Sequence, residues 1–418
     1  MTAIDTTLAS EIPDCVEVIR THITEPYGLV HKLSGKKSSQ GGEVNPVNSQ
    51  KKTLKQRLMM FIRGNFFIPD PRCFWIRPSV KYLKKYLKEH PVDIIISTGP
   101  PHSMHLIAKK VSQATNIPWI ADFRDPWTEI FYFKHFPMMN IVRKKHKKLE
   151  QSVLDTASTI VAVSPAVQKD FQKMTSTTVE LVTNGFDEDD FKRERQEDGY
   201  FNISHTGLFS KDGNPDVLWN VLSELCKEDP EFKKMMRLRF CGKTDNEILA
   251  CIHEAGLDEN LINLGYQDHN TAVQEQINAS MLILPIRKEP ESKSILPGKL
   301  FEYLASRRPL LGIDNAEGAT AKVMRDTEAG LTVNWDDADS MKSFILDCWN
   351  AFRSKQNDQP IKDDQPIKDD QPIKDNLTIK DDKKSTTRQS DDESDIMQYS
   401  RRSTAEKMAS IMNKLTNS

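Results

Sequence analysis

The feature that most constrains the fold of this chain is a regular alternation of short apolar runs with longer amphipathic segments. The run VDIIIST (92–98) is almost continuously apolar, which is typical of a parallel strand buried on both faces. The segment GPPHSMHLIAKKVSQA after it has a glycine turn, prolines at a helix start and apolar residues at helical spacing. This alternation predicts an α/β domain with a parallel sheet. The other predicted elements of this domain are strands IPWIAD (117–122), STIVAVS (158–164) and TVELVTNG (178–185) and an amphipathic helix at 140–157.

A second series of the same kind begins after the charged stretch DEDDFKRERQEDG (187–199), which we interpret as a linker. Its alternating strands and helices predict a second doubly wound, Rossmann-like domain. A chain of 418 residues is long enough for two such domains, each with its own core. The predicted organisation is an N-terminal domain at 1–186, the linker at 187–199, a C-terminal domain at 200–354, an insertion at 355–395 and a closing helix at 396–418.

The predicted insertion has a composition unlike that of the two domains. It contains the tandem repeat DQPIKDDQPIKDDQPIKD, which is rich in charge, poor in apolar residues and broken by prolines. Such a segment cannot bury enough apolar surface to fold, so we predict disorder. Beyond it, Met408, Ile411, Met412 and Leu415 fall on one helical face. We therefore expect the closing helix to dock on another part of the protein.

Charge and cysteine content limit the classes of function. The 58 basic and 60 acidic residues nearly cancel, so no overall field favours nucleic acid. The six cysteines are scattered, without metal-ligand spacing, which suits a reducing cytosol. The start of the chain does not resemble a signal peptide, and no apolar run is long enough to cross a bilayer. We expect a cytoplasmic protein, soluble or peripheral on the inner face of the membrane, with no metal site and no cofactor.

The N-terminal region is less regular. VEVIRT (16–21) is predicted as a strand. Residues 51–90 mix many basic residues with Phe, Trp, Met and Ile, and two interpretations remain open. They form either the solvated basic face of two ordinary helices or a surface that binds anionic lipid.

The most informative single stretch is GKLFEYLASRRPLL (298–311), which follows a predicted strand and a polar loop. A helix N-terminus has free N–H groups and partial positive charge, Gly298 permits close approach of a ligand, and Lys299 adds a full charge, so this stretch suits a phosphate. Glu302 lies one turn further along. A carboxylate there suits the two hydroxyls of a ribose, which predicts a nucleotide site. The alternative is an ordinary surface helix that happens to carry a lysine and a glutamate.

Four segments in order along the chain resemble GT-B glycosyltransferases, in particular the retaining enzymes of glycosyltransferase family 4. The stretch GKLFEYLASRRPLL resembles their donor-binding segment. The other three resemble an N-domain signature of the branch that builds bacterial surface polysaccharides, the segment that enters the linker, and the first strand and loop of the C-domain. These are STGPPHSMHLIAKKVSQATNIPWIADFRDPWTEI (97–130), LVTNGFDEDDF (181–191) and SHTGLFSKDGNPDVL (204–218).

The resemblance implies roles for residues of the C-terminal domain. Glu302 would hold the ribose of the donor nucleotide. Lys299 and the loop from Gly207 to Gly213 would lie near the diphosphate, with Lys211 as the available cation. Gly265 and Tyr266 would face the base. The family often has a glutamate for the donor sugar where this chain has Ser294, so sugar recognition must differ, and Glu291 or Glu289 is only a possible substitute.

In the N-terminal domain the resemblance implies that Arg124, Asp125 and Trp127 of DFRDPW face a cleft between the domains. Asp125 is the best catalytic candidate, with Arg124 beside it. The competing interpretation is a structural ion-pair turn formed by Asp122, Arg124 and Asp125. His102, at a helix start, would touch the acceptor or serve only as a neighbour of the helix cap.

The resemblance implies a two-domain GT-B enzyme that moves a sugar from a nucleotide diphosphate donor to a glycan or lipid-linked acceptor with retention. The family's N-domain also has a first strand and a glycine-rich turn that the printed chain does not match, so an incomplete N-terminal domain is expected. Two other functions stay open: a non-catalytic nucleotide-binding remnant, and an epimerase of sugar nucleotides with the same fold.

Overall fold

The structure is a computed structural model, and it describes residues 12–23, 54–130, 133, 136–357 and 395–417. The chain divides into two compact units. The first comprises Met1–Gly185 with Ser294–Leu296 and Arg401–Ser418, and the second comprises Phe186–Lys293 with Pro297–Ser400. The predicted repeat lies outside the described residues.

The first unit contains a four-stranded parallel sheet with strand order β1-β2-β3-β4. Its strands are β1 Ile95–Gly99, β2 Trp119–Phe123, β3 Thr159–Ala162 and β4 Val179–Leu181. Its helices are α1 Leu54–Phe66, α2 Ile76–Glu89, α3 Ser103–Thr115, α4 Asn140–Leu154, α5 Pro165–Met174 and the C-terminal helix, α13 Arg401–Thr416.

Both faces of the central strands β2 and β3 are covered, by different parts of the chain. Strands joined in sequential order by right-handed crossovers carry their connecting helices on one face. Ala121, Phe123 and Ile160 point to that face and pack with residues of α2 to α5. Their alternate neighbours Ile120 and Val161 point to the opposite face, which packs against α13. The docking face predicted for the closing helix is confirmed, since Met408, Ile411, Met412 and Leu415 all join this cluster.

The second unit contains a six-stranded parallel sheet with strand order β10-β9-β8-β5-β6-β7. Its strands are β5 Phe201–Thr206, β6 Met236–Cys241, β7 Leu261–Gly265, β8 Met281–Pro285, β9 Leu310–Ile313 and β10 Gly330–Val333. Its helices are α6 Asp216–Glu228, α7 Pro230–Met235, α8 Asn246–Glu254, α9 His269–Asn278, α10 Gly298–Ser306, α11 Ala319–Asp326 and α12 Ala338–Asn357.

This strand order confirms the predicted doubly wound topology. The chain runs outward from β5 through β6 to β7, and then returns to pair β8 with the other side of β5. The order therefore reverses beside β5, and ligands of such sheets bind at this switch point, outside the carboxyl ends of the strands. The helix that carries Lys299 and Glu302 follows β8, so the predicted nucleotide site lies at this edge.

The N-terminal region differs from its prediction. Residues 16–21 form no strand, because they pair with no strand in the described part of the chain. Instead, Glu17 accepts a hydrogen bond from Tyr86 and Thr21 accepts one from Trp75, which tie the segment to α2 and the turn before it. None of the helices in the described ranges is long and apolar enough to cross a bilayer.

Candidate active site

The carboxyl ends of β5 and β6 meet through glycines. Gly207 has φ +89° and Gly242 has φ +139°, a conformation that strongly favours glycine. A Cβ atom on Gly242 would lie 2.1 Å from the Gly207 carbonyl oxygen, so no side chain fits there. The Gly207 N–H donates to the Cys241 carbonyl at 2.7 Å. The predicted phosphate loop therefore starts at two glycines that pack against each other, Gly207 and Gly242. The sequence analysis did not indicate Gly242.

Lys299, in the first turn of α10, is held beside Gly207. His205 Nδ1 lies 3.1 Å from the Ile283 carbonyl oxygen, which can only accept, so Nδ1 carries the proton. His205 Nε2 is then left to accept from Lys299 Nζ at 3.2 Å, and the Leu208 carbonyl accepts from the same ammonium at 3.2 Å. Burial lowers the pKa of Lys299 to about 8, although Glu302 opposes the shift. The ammonium is thus fixed in place and only partly hydrated.

Glu302 lies three residues along the same helix, and therefore on the same face as Lys299. The other side chains of this turn are buried in the core (Leu300, Phe301, Tyr303 and Leu304). Glu302 is half-buried, and its Oε2 accepts from Gln276 Nε2 at 3.0 Å. An apolar helix thus presents one cation and one carboxylate on the side that is not packed. An ordinary surface helix does not require its lysine and glutamate to be held by hydrogen bonds in this way.

The other residues predicted to bind the nucleotide differ from one another in burial and in their partners. Lys211 is not the available cation that was expected, because its Nζ lies 3.6 Å from Glu247, on α8, and its side chain is only 16% exposed. Its backbone N–H also donates to Asp245 at 2.9 Å, which holds the loop against the start of α8. Gly265 has φ +64°, and the ring of Tyr266 after it is 62% exposed. Gly298 and Ser294 are exposed.

In the first unit, Asp122 and Arg124 form the predicted ion pair at the end of β2. Arg124 Nε donates to Asp122 Oδ2 at 2.9 Å. The same guanidinium donates to the Val182 and Thr183 carbonyls at 3.3 and 3.2 Å, and to Asn184 Oδ1 at 3.4 Å. Arg124 therefore joins the loop after β4 to the end of β2, which agrees with the interpretation of this turn as a structural ion pair.

Asp125 does not take part in that ion pair. No hydrogen bond or ion pair joins its carboxylate to another residue in the described part of the chain. The residue is half-buried, and desolvation raises the pKa of Asp125 above its ordinary value. A partly buried carboxylate with a raised pKa and no partner among the described residues is suited to accept a proton.

Trp127 is buried, contrary to the expectation that it faces a ligand, and His102 is a buried N-cap residue of α3, in agreement with its alternative as a neighbour of the helix cap. Trp127 is 2% exposed and His102 is 6% exposed. Their rings stack with centroids 4.7 Å apart, and Trp127 Nε1 donates to His146 Nδ1 at 3.1 Å. Stacking of two aromatic rings in the core explains this burial. Both residues support the loop that carries Asp125.

Two further supports of that loop were missed in the sequence. Glu150 accepts from the backbone N–H groups of Trp127 and Thr128, each at 3.2 Å, and from the Thr128 hydroxyl. His146 and Glu150 are both buried on α4, although most of their neighbours are exposed lysines. A signal was present, since the two residues are four apart, and His146 is four from Val142 on the buried face.

The buried histidines predict a loss of stability in acid. Burial, with His146 nearby, lowers the pKa of His102 to about 3 in the folded protein, against about 6.5 in the unfolded chain. Below pH 6.5 the unfolded chain takes up a proton that folded His102 does not, so stability falls as the pH falls. The expected contribution of His102 is about 2 kcal/mol between pH 7 and pH 5.

His102→Phe keeps a stacking ring and removes this titration. Urea unfolding at pH 7 and pH 5 is therefore expected to show a smaller loss of stability in this variant than in the parent protein. Equal losses in the two proteins would contradict the assignment.

Two family models match the chain, one for each half. Glycosyltransferase Family 4 matches residues 49–190, and Glycosyl transferases group 1 matches residues 201–350. A search of curated proteins found no significant match.

Solved structures agree on the fold. Sucrose-phosphate synthase from Thermosynechococcus elongatus is similar at a TM-score of 0.52 and 12% identity, over 82% of this chain and 78% of that one. The UDP-forming trehalose-phosphate synthase from Burkholderia xenovorans is similar at 0.52 and 12%, over 81% and 78%. Identities this low show the fold alone. The two family matches and the two parallel sheets together support a GT-B glycosyltransferase that is similar to family 4.

Proposed function

We propose that this glycosyltransferase moves a sugar from a nucleoside diphosphate donor to a glycan or a lipid-linked acceptor, with retention at the anomeric carbon, in surface polysaccharide biosynthesis. The observation that carries the proposal is the shared face of Lys299 and Glu302 at the switch point of the second sheet. Lys299 and the N-terminus of α10 serve the diphosphate, and Glu302 serves the ribose.

The chemistry required of the protein is modest. The leaving diphosphate accumulates charge as the glycosidic bond breaks, and a fixed ammonium beside free backbone N–H groups stabilises that charge. In the first unit, Asp125 has the properties needed to orient the acceptor hydroxyl and to receive its proton. No metal site was predicted, so transfer is expected to continue in EDTA.

The test is an assay of the purified protein with radiolabelled nucleotide sugars and a lipid-linked glycan fraction as acceptor. Transfer of label to the acceptor, with the anomeric configuration of the donor kept in the NMR spectrum of the product, would support the proposal. Interconversion of the sugar nucleotides would indicate an epimerase instead. Binding without any turnover would argue against catalysis by this chain.

The depressed pKa of Lys299 makes diphosphate binding dependent on pH. An ammonium with a pKa of about 8 is largely neutral above pH 8, and a bound diphosphate requires it charged. Binding at pH 8.5 is therefore expected to take up protons from the buffer, and affinity should fall as the pH rises further. Calorimetric titration with UDP, GDP and ADP in two buffers of different ionisation enthalpy measures this uptake.

Lys299→Arg is the matched control for that measurement. A guanidinium stays charged throughout this range, so the proton uptake should disappear in a variant that still carries a cation. Uptake of the same size in both proteins would show that another group titrates.

We also propose that the first unit associates with anionic membrane, which would bring a lipid-linked acceptor close. Leu54, Leu58, Ile62 and Phe66 follow one another at four-residue spacing on α1, and all four are exposed, Leu54 at 84% and Phe66 at 67%. Asn65 accepts from the Met139 N–H at 2.7 Å, which fixes the end of α1 beside the start of α4. Helix α4 exposes Ile141 and four lysines (Lys144, Lys145, Lys147 and Lys148).

An apolar stripe beside clustered lysines suits a surface of anionic lipid, where each basic residue contributes about 1 kcal/mol. Co-sedimentation is expected with vesicles of phosphatidylglycerol and much less with phosphatidylcholine alone, and it should weaken in high salt. Leu58→Ser with Ile62→Ser should reduce it. Binding that ignores lipid charge and salt would contradict the proposal.

A further inference from the structure

Glu302 is held by a residue that no sequence motif indicated. Gln276, on α9, is 1% exposed, and its side-chain amide reaches two groups. Nε2 donates to Glu302 Oε2 at 3.0 Å and to Thr206 Oγ1 at 3.0 Å. The amide therefore joins the carboxylate to the last residue of β5, next to the glycine that carries the predicted phosphate loop.

The same contacts continue into α10. The Thr206 N–H donates to the Tyr303 hydroxyl oxygen at 2.8 Å. Tyr303 directly follows Glu302 in the chain and is fully buried. The end of β5, α9 and α10 are thus connected by hydrogen bonds that meet at Thr206. Glu302 is the one member of this network that is half-exposed, so the network ends at the predicted ribose site.

A glutamine at this position carries a cost for folding. Gln276 Oε1 is buried and accepts no hydrogen bond from the described residues. A buried acceptor without a donor destabilises a protein, and a leucine of similar size would avoid the loss. The hydrogen bonds donated by Nε2 are therefore the reason that a glutamine suits position 276. Of the two, the bond to Glu302 connects Gln276 to the predicted ribose site.

We propose that Gln276 is a positioning residue for Glu302, and this rests on the proposed role of Glu302 in binding ribose. Its amide occupies one lone pair of Oε2 and fixes the plane of the carboxylate. The remaining lone pairs then face the two hydroxyls of a ribose in a set direction, so a ribonucleotide is preferred to a deoxynucleotide. Without the amide the carboxylate still carries its charge but rotates, and the preference for ribose falls.

The experiment uses the full chain and four variants: Gln276→Leu, Gln276→Glu, Glu302→Gln and the control Gln274→Leu. Gln274 lies on the same helix, and its amide contacts Glu194 and Asn278 instead. The probes are UDP, GDP and ADP with their 2′,3′-dideoxy counterparts, and the pair that the parent protein binds most tightly is carried through by calorimetric titration.

Gln276→Leu is expected to weaken the ribonucleoside diphosphate about fivefold, the value of one ordinary hydrogen bond, and to leave the dideoxy probe within about twofold. Its resistance to urea should not fall. Gln276→Glu should bind the ribonucleotide well at pH 5.5, where a proton shared by the two carboxylates replaces the amide donor, and poorly at pH 8. This second variant keeps the test informative if leucine disturbs folding.

Equal losses for both probes, or no loss in either Gln276 variant, would overturn the positioning role. The two proposals fail in different ways. If Glu302→Gln leaves ribonucleotide affinity unchanged, the ribose assignment itself is wrong. If Glu302→Gln weakens binding and the Gln276 variants do not, only the role of Gln276 is wrong.

Discussion

Replacing Asp125 with asparagine is expected to lower sugar transfer at least a hundredfold while nucleotide affinity stays unchanged. The amide has the shape of the carboxylate but cannot accept a proton, and a positioned acid or base contributes about 10²- to 10⁴-fold to a rate. Asp125 suits this role because it is half-buried with a raised pKa and has no partner among the described residues. Initial rates and calorimetric titrations on the same preparation measure the two quantities.

Glu129→Gln is the control for that experiment. Glu129 lies in the same loop, but its side chain is 66% exposed and lies 3.8 Å from Lys147. Its replacement should leave the rate within about twofold, because an exposed pair of this kind contributes little. Full activity in Asp125→Asn would remove Asp125 from the mechanism. Loss of activity together with a lowered unfolding midpoint would indicate a structural role instead.

Replacing Glu302 with glutamine is expected to weaken a ribonucleoside diphosphate at least tenfold. A hydrogen bond to a charged group contributes roughly 1.5–3 kcal/mol, and about 1.4 kcal/mol corresponds to a factor of ten. The loss should be much smaller for the 2′,3′-dideoxy counterpart, which has no hydroxyls for the carboxylate to accept. The measurement is calorimetric titration of both ligands.

The matched control for Glu302 is Glu259→Gln. Glu259 is 86% exposed and lies just before β7, at the amino end of that strand, whereas Glu302 lies on the helix that follows the carboxyl end of β8. Its replacement should change neither affinity. Equal losses of ribose and dideoxy ligands in Glu302→Gln would show that the carboxylate does not contact the ribose. No loss at all would leave Glu302 as an ordinary residue of a surface helix.

The parallel sheets were predictable because a strand buried on both faces must be apolar almost throughout. Runs such as VDIIIST and MLILPI carry that signal without help from distant residues, and each contains a strand, β1 and β8. Strand β8 is buried as expected, whereas β1 lies at the edge of its sheet and leaves Ile96 41% exposed, so burial on both faces was wrong for β1. Residues 16–21 carry a similar local pattern and form no strand. The difference is that a strand needs a partner, and local pattern cannot report whether one is adjacent.

Some residues of the candidate site could likewise be predicted from local sequence, and others could not. Gly298, Lys299 and Glu302 could be predicted because a helix start, a glycine and two charges at fixed spacing act over a single turn, and the structure confirms that helix. Gln276 and His205, which hold Glu302 and Lys299, lie 26 and 94 residues away from them along the chain, and no spacing rule connects them. Such contacts exist only once the strands are ordered.

The sequence by itself therefore determined two α/β domains with parallel sheets and the helix that docks through Met408 and Ile411, and it predicts the loops most suited to a nucleotide. Each depends on periodicity or on neighbours within a few residues. Only the tertiary structure decided which side chains in those loops are available. It buried His102 and Trp127, paired Lys211 with Glu247, and left Asp125 without a partner among the residues that the structure describes. The physical reason is that burial and pairing depend on which distant groups pack around a side chain, and a linear pattern does not record them.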